Sequence, residues 1–252
     1  INSKFNHIFF GKFGERKSQK SKQKYKFASF GDSFVFCRYV KNSETWQNYL
    51  TKYSTYNGLN FGVGNFGLDQ IYLKYSTTNI PKNIKTIFIG FVPETLSRCL
   101  CMWKHYHEFN NIYAFKPKFI LNKKKILLIE NPIKSHKSFD KINENINSFK
   151  YKEFFYKKKF LKYKLSFPYS FSFLKNFNYN LKLFFFSYLK VFRINDEKIW
   201  NFIINLNCKK NDFYYTKNEN KKLINKIFLK LLEKSKKNNH KIVFLVFPQK
   251  YD

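Results

Sequence analysis

Residues 25–33 read YKFASFGDS, and this stretch decides the fold class. Its first six residues combine aromatic and small side chains without a turn residue, which is typical of a β-strand. The strand runs directly into Gly31-Asp32-Ser33. Functional groups of open α/β sheets gather where the strands end. The pattern therefore predicts that Ser33 lies at the carboxyl edge of a sheet.

Further short strands follow along the chain, separated by helical segments. The predicted strands are residues 25–30, 59–63, 86–92 and 242–247, and the predicted helices are residues 44–52, 68–75 and 221–237. The unbroken apolar run of residues 86–92 is typical of a parallel strand buried on both faces. Residues 221–237 carry apolar side chains at spacings of three and four. This alternation predicts an α/β fold, a three-layer α/β/α sandwich with a mainly parallel sheet.

Three segments fall outside this alternation. Residues 118–129 indicate two strands around an Asn-Lys-Lys turn, which is a β-hairpin. Residues 137–190 are rich in Lys, Phe and Tyr without a clean period, and we interpret them as a helical insertion. Residues 1–25 are polar and basic, which predicts a solvated arm. The expected organisation is therefore that arm followed by one α/β domain, residues 26–252, with an insertion at about residues 110–215.

The net charge of +32 suggests a polyanionic partner such as nucleic acid or an anionic membrane. Only four of the 48 basic residues are arginine, however, and arginine is the side chain that favours bidentate phosphate contacts. The lysines accompany 33 Phe and 18 Tyr, together with many Asn and Ile, all of which have A- and T-rich codons. A genomic base-composition bias explains the whole set. Nucleic acid is therefore not the expected partner, although a strong positive field attracts polyanions whatever its origin.

Cysteine spacing and hydropathy limit the kinds of metal site and of membrane attachment that the sequence allows. The cysteines Cys37, Cys99, Cys101 and Cys208 have no zinc-site spacing, so we expect free or buried thiols and neither a metal nor another cofactor. No run of 18 or more apolar residues occurs, so no membrane span is expected. The aromatic stretch at residues 184–186 is broken by lysines, which suits a buried or interfacial helix.

Three sequence blocks carry a resemblance to a known family. The strand followed by Gly31-Asp32-Ser33 is the first, Glu44-Thr45-Trp46 follows eleven residues later, and residues 60–70 read NFGVGNFGLDQ. In this order they resemble the SGNH (GDSL) hydrolases, specifically bacterial members with a strand-GDSF start and an N-x-G-V-x-G-[YF]-G-x-D-Q second block. The resemblance covers residues 26–132 well and the rest in outline. It implies a serine esterase or O-acyltransferase.

The resemblance assigns roles in the first two blocks. Ser33 becomes the nucleophile, with Asp32 as the second candidate catalytic residue, although its position in the motif usually supports the turn. The backbone N–H groups of Ser33, Gly64 and Asn65 become the oxyanion hole, since a tetrahedral intermediate needs preorganised donors. Asn65 replaces a family glycine and tolerates unusual backbone angles. The alternative is that the glycines of this block merely form a tight strand-to-helix connection.

The third block departs from the family pattern. Where the family has G-x-N-D, residues 90–95 read GFVPET, and Pro93 has neither an amide side chain nor a backbone N–H. This variant resembles a subgroup from bacterial surface-polysaccharide loci. In that subgroup Glu94 and Arg98 are expected to shape the site, as an ion pair or an anion clamp. A surface salt bridge one helical turn apart is the alternative.

Asp69 and His105 complete the candidate substrate-site residues. His105 either approaches Ser33 from the loop after the third strand or is simply packed. The family's histidine base and its acid lie in a D-x-x-H block after the last strand, and no Asp-x-x-His occurs in this chain. We expect the block beyond Asp252. The alternative is a degenerate site.

The expected substrate is an ester, with acetylated or otherwise acylated carbohydrate implied by the resemblance. Two other interpretations stay open. One is a basic RNA-associated protein of the organellar ribosomal type, and the other is an SGNH-like protein that binds glycans without catalysis. The chain begins at Ile1 without a signal-peptide pattern, so an upstream targeting signal is possible and the expected compartment is the bacterial cytoplasm or cell envelope. Nothing in the sequence indicates an oligomeric state.

Overall fold

A computed structural model describes residues 8–17, 24–54, 56–108, 111–123, 125–191 and 210–248. Its centre is a four-stranded parallel sheet in the order β2-β1-β3-β6. The strands are β1 Tyr25–Gly31, β2 Asn57–Asn60, β3 Thr86–Phe91 and β6 Lys241–Val246. A separate antiparallel hairpin joins β4 Lys118–Asn122 to β5 Lys125–Ile129. The α/β sandwich and the hairpin predicted from sequence are both confirmed.

Helices flank the sheet and form most of the insertion. They are α1 Ser33–Phe36, α2 Trp46–Tyr53, α3 Leu68–Thr77, α4 Lys104–His107, α5 Ile142–Phe149, α6 Leu161–Tyr163, α7 Tyr169–Lys175, α8 Phe177–Val191 and α9 Asn218–Lys237. Residues 210–216 are also helical, and a 3-10 helix spans Pro93–Leu100. The segment predicted as a helical insertion, residues 137–190, is therefore mostly helical.

Strand alternation sends aromatic side chains of the sheet to both sides. On one side Phe30 of β1 meets Tyr75 of α3 at 5.4 Å between ring centroids. On the other side Phe27 stacks on Trp46 of α2 at 6.2 Å, and Trp46 also meets Phe88 of β3 edge-on. Full burial of a side chain of this size stabilises the fold by about 1.5–3 kcal/mol. The two aromatic layers give the sheet its three-layer packing.

The second strand is shorter and earlier than the sequence predicts. It ends at Asn60, whereas we expected residues 59–63. The Asn60 side chain accepts a hydrogen bond from the N–H of Gly62 at 2.9 Å, and the N–H groups of Phe61 and Val63 still donate to the oxygens of Ser29 and Gly31 in β1. An asparagine that caps its own strand in this way is not distinguishable by periodicity from a residue inside the strand.

The prediction of a solvated arm at residues 1–25 is wrong for the part around Arg16. This side chain is only 2% exposed. Its guanidinium donates to the carbonyl oxygens of Phe36, Cys37 and Val40 at 2.6–2.7 Å, and its backbone N–H donates to the Asn60 oxygen at 2.7 Å. The planar donor group of arginine satisfies several carbonyls at once. The arm is thereby tied to the loop that follows α1.

The described cysteines and helices agree with two sequence predictions. Cys37, Cys99 and Cys101 are free thiols, the last two fully buried, and Cys208 lies outside the described residues. Within the described residues no helix is both long and apolar enough to cross a membrane.

Candidate active site at the carboxyl edge of the sheet

Ser33 is the first residue of α1 and follows directly on β1. Asp32 caps this helix, because its Oδ1 accepts the N–H of Phe34 at 2.9 Å. Its Oδ2 accepts the N–H of Val92, just past β3, at 3.1 Å. One carboxylate therefore ties the ends of two neighbouring strands together. Ser33 is half-buried beside this junction, at the sheet edge where the sequence predicts it.

Asp32 itself is only 1% exposed, so it positions the turn and a substrate does not reach it. Burial raises the pKa of its carboxyl, while the two backbone N–H donors and the charge of Arg98 oppose this shift. These contacts support the turn-forming role, not the role of a reacting group. Asp32 is a positioning residue in this geometry.

The second block packs directly against the first. The N–H of Val63 donates to the oxygen of Gly31 at 2.9 Å. A Cβ on Gly62 would lie 2.3 Å from the backbone nitrogen of Phe36, so this close approach to α1 requires glycine. Asn65 and Ser33 each lie two residues after this hydrogen-bonded pair, Asn65 after Val63 and Ser33 after Gly31.

Asn65 has the backbone conformation that the sequence analysis anticipated. Its φ is 69°, in the left-handed region that asparagine tolerates better than most residues. Its neighbour Gly64 has different surroundings from Gly62, because a Cβ added there would meet no atom within 4 Å. The turn therefore borders open space at Gly64.

Buried polar side chains hold the short helix α1 in place. The carbonyl of Val35 accepts from the Gln47 amide and from the Asn60 amide, both at 2.9 Å. Arg16 holds the next two carbonyls, as described above. A four-residue helix has little stability of its own, so these side chains replace the missing helical hydrogen bonds. Sequence reasoning missed Arg16, Gln47 and Asn60, and the only available signal was an arginine among many lysines.

Ser33 also borders a shallow groove of about 340 Å³. The groove is lined by Ser33, Phe34, Cys37, Arg38, Tyr39, Val40, Glu44 and Trp46. Its wall is mostly apolar, with one charge of each sign. The Arg16 hydrogen bonds fix the loop that forms one side of it.

Arg98 is not an exposed anion clamp. Its side chain is 13% exposed, and its Nε pairs with Glu108 Oε1 at 3.0 Å. A second guanidinium nitrogen donates to the Phe66 oxygen at 3.4 Å, which links the third block to the second. Glu94 begins the same 3-10 helix, is half-buried, and accepts the Ser97 hydroxyl at its backbone oxygen. The expectation that Glu94 and Arg98 form a surface pair did not anticipate Glu108 as the partner.

Asp69 is fully buried in an ion pair with Lys116. Its carboxylate is therefore shielded from solvent, and its role as a substrate-site residue stays a prediction. The pair connects α3 to the segment that leads into β4. Lys116 directly follows Phe115 and carries no pattern that would have identified it as the partner of Asp69 from sequence.

His105 and His240 differ in their surroundings. His105 is half-buried against Trp103 and Phe160, at 4.9 and 5.4 Å between ring centroids, and burial lowers its pKa. This matches the packed alternative. His240 Nδ1 lies 2.8 Å from the Tyr75 hydroxyl, just before β6 and so at the amino end of that strand. Ser33 is at the opposite edge.

Ser97, His107 and Glu108 have triad-like spacing, but the serine and the histidine are inaccessible. His107 Nε2 lies 3.1 Å from Ser97 Oγ, and His107 Nδ1 lies 3.4 Å from Glu108 Oε1. Ser97 and His107 are nevertheless 0% and 1% exposed, and His107 also contacts Asn211 Oδ1 at 3.0 Å. Burial lowers the pKa of His107 to about 4. The imidazole is therefore neutral and holds the helices together without contact to solvent.

Comparison with known proteins adds no assignment. No protein-family model matches the chain, and the searches of curated proteins and of solved structures find no significant match. Within the described residues no cluster of three His, Cys, Asp or Glu side chains is arranged to hold a metal ion. The functional interpretation therefore depends on the sequence blocks and on the geometry around Ser33.

Proposed function

We propose that this protein is a serine esterase or O-acyltransferase and that Ser33 is its nucleophile. In the proposed reaction Ser33 Oγ attacks the carbonyl carbon of an ester and its proton passes to a base. The alcohol leaves with a proton and an acyl-enzyme forms. Water or a sugar hydroxyl then takes the acyl group and Ser33 regains its proton.

The observation that carries the proposal is the junction at the end of β1. Ser33 is half-buried, and the turn that holds it is fixed by the N–H groups of Phe34 and Val92, which donate to the Asp32 carboxylate. As the first residue of α1, Ser33 has a backbone N–H without an acceptor in its own helix, so this donor is suited to an oxyanion. The Asn65 turn, anchored through Val63 to Gly31, supports the assignment of Gly64 and Asn65 as further donors.

The direction of β6 supports a base delivered from the chain that follows it. Phe247 comes directly after β6 and stacks on Phe34, the neighbour of Ser33, at 5.8 Å between ring centroids. The first residue after β6 therefore contacts the neighbour of the proposed nucleophile. In the resembling family this is where the D-x-x-H block supplies the base. Acylated carbohydrate is the proposed substrate class on the strength of that resemblance.

Steady-state hydrolysis of a short-chain aryl ester by the full-length protein tests the proposal. We expect Ser33→Ala to lower kcat/KM at least a thousandfold, because the acyl-enzyme no longer forms, with the urea midpoint unchanged. Ser97→Ala is the matched control, since it removes a serine of the buried triad-like group, and hydrolysis by its folded form should remain within a few-fold of the wild type. Equal activity of wild type and Ser33→Ala, or loss of activity only in Ser97→Ala, would exclude Ser33 as the nucleophile.

A further inference from the structure

The helix α8 of the insertion exposes an apolar stripe. Phe177, Leu181, Phe184 and Tyr188 recur at helical spacings of four, three and four, Phe185 lies next to Phe184, and all five are exposed. Phe184 is 64% exposed. In a surface helix such an apolar stripe normally faces the core. Here it faces outward.

The inner side of the same helix is fixed by packing, which defines the outward side. Asn180 is buried, and its amide donates to the Phe173 oxygen of α7 at 2.9 Å. Tyr179 packs on Tyr163 with 4.3 Å between their ring centroids, and the ammonium of Lys210 lies 4.0 Å from the centroid of the Tyr179 ring. A polar residue thus lies inside while phenylalanines lie outside. Rotation of α8 to bury the stripe would break these contacts.

The neighbouring helix α7 also exposes an aromatic side chain. Phe171 of α7 is 70% exposed. We use the name hairpin surface for six exposed side chains, Phe171, Phe177, Leu181, Phe184, Phe185 and Tyr188. So many exposed apolar side chains on two consecutive helices are unusual for a monomeric protein, and large exposed apolar areas mark interaction sites.

The charge of the insertion limits the kind of partner. Residues 154–191 contain eight lysines and no aspartate or glutamate. Lys162, Lys164, Lys175 and Lys182 are exposed. Lysine stems lie along apolar surface while their ammonium groups reach outward. The partner therefore combines negative charge with an apolar interior.

We propose that the hairpin surface binds an anionic phospholipid bilayer, with its aromatic and leucine side chains at the boundary between headgroups and acyl chains. Helices with a basic face and a stripe of Phe and Leu bind membranes in this way, and their lysines pair with anionic headgroups. A nucleic acid fits less well, because bases stack on flat aromatic platforms and phosphates favour arginine. The leucine and the helical stripe are suited to acyl chains. This inference does not depend on the function of Ser33.

Vesicle sedimentation tests the proposal with the full-length protein. Wild type should pellet with phosphatidylcholine vesicles that contain roughly 30% phosphatidylglycerol, because an anionic surface attracts each nearby lysine, and should not pellet with phosphatidylcholine alone. Phe171→Ser/Phe184→Ser should weaken binding at least tenfold. Both side chains are exposed, so the variant keeps its fold. Tyr53→Ser/Tyr113→Ser removes two exposed aromatics elsewhere and should bind as wild type.

A matched charge variant separates specific from general attraction. Vesicle binding should weaken at least tenfold in the variant Lys162→Gln/Lys164→Gln/Lys175→Gln/Lys182→Gln. It should weaken less than threefold in the control variant Lys221→Gln/Lys222→Gln/Lys226→Gln/Lys236→Gln, whose four lysines are also exposed. Equal losses from the two sets would mean general electrostatic attraction and would overturn the proposal. Binding of single-stranded RNA at physiological salt without vesicle binding would overturn it as well.

Discussion

The carboxyl edge of the sheet and the α7–α8 hairpin use similar residue types in opposite ways. At the edge, polar groups such as Asp32 and Asn60 are buried and fully engaged, and aromatic rings such as Phe30 lie in the core. In the hairpin, Asn180 is inside and phenylalanines are outside. Composition alone does not distinguish these regions. The edge is held together by its own hydrogen bonds, whereas the hairpin exposes its aromatic side chains.

The largest difference should appear when a buried charge in the edge region loses its partner. Lys116→Met leaves the fully buried Asp69 carboxylate uncompensated, and we expect a loss of about 3–5 kcal/mol in the free energy of unfolding. The double variant Asp69→Leu/Lys116→Met should recover most of it. Lys134→Met, which removes an exposed pair with Glu130, should change little. Urea denaturation measures all three, and equal effects of the two lysine variants would contradict a buried pair.

The second largest effect should come from acid, which should lower the free energy of unfolding through His107. Its pKa is lowered by burial to about 4 from an ordinary value of 6.5. Between these pH values the unfolded chain binds a proton that the native protein does not, so stability falls as pH drops through this window, by about 3 kcal/mol in total. His107→Gln should flatten the dependence of the urea midpoint between pH 7.5 and pH 4.5. His136→Gln, at an exposed position, should leave it unchanged. An unaltered slope in His107→Gln would show that His107 is not the titrating group.

Alanine substitutions at two glycines of the second block should separate effects on packing from effects on catalysis. Gly62→Ala forces a Cβ against the Phe36 nitrogen and should cost about 1–3 kcal/mol of stability. Gly64→Ala meets no atom within 4 Å and should leave the unfolding midpoint unchanged. If this open space receives substrate, Gly64→Ala lowers kcat/KM for aryl esters without loss of stability. Thermal unfolding and ester turnover, measured on both variants, check the pair. A destabilised Gly64→Ala would contradict the geometry of the turn.

Substitutions on the hairpin surface should have the smallest effect on stability. Phe171→Ser and Phe184→Ser remove exposed rings, so each should change the free energy of unfolding by no more than about 0.5 kcal/mol. Phe61→Ser, in the core, should cost several times more. A large loss in either hairpin variant, measured by urea denaturation, would show that these rings are packed in solution.

The sheet was predictable from sequence because its strands are short apolar runs between helices with regular spacing. Residues 86–92 and 242–247 needed only hydrophobic pattern and length. The last helix begins at Asn218, three residues before the predicted start, because propensity marks helix ends poorly. The outward orientation of α8 was not predictable, since a hydrophobic stripe normally indicates burial and the sequence does not contain the packing of Asn180 and Tyr179 that reverses it.

The site was predictable only in its contiguous motifs. The sequence located Ser33, the capping position of Asp32 and the unusual backbone of Asn65, each of which depends on neighbours within a few residues. The buried roles of Asp69 and Arg98 depend on Lys116 and Glu108, which lie 47 and 10 residues away. Such pairings come from the tertiary fold and leave no periodic signal.

The central claim is that the hydroxyl at the end of β1 becomes acylated. Treatment of the full-length protein with a serine-directed fluorophosphonate, followed by peptide mass spectrometry, tests this most directly. We predict one modification, on the peptide that contains Ser33, and none in Ser33→Ala at the same reagent concentration. An unmodified Ser33 peptide, or labelling that persists in Ser33→Ala at another serine, would contradict the proposed nucleophile.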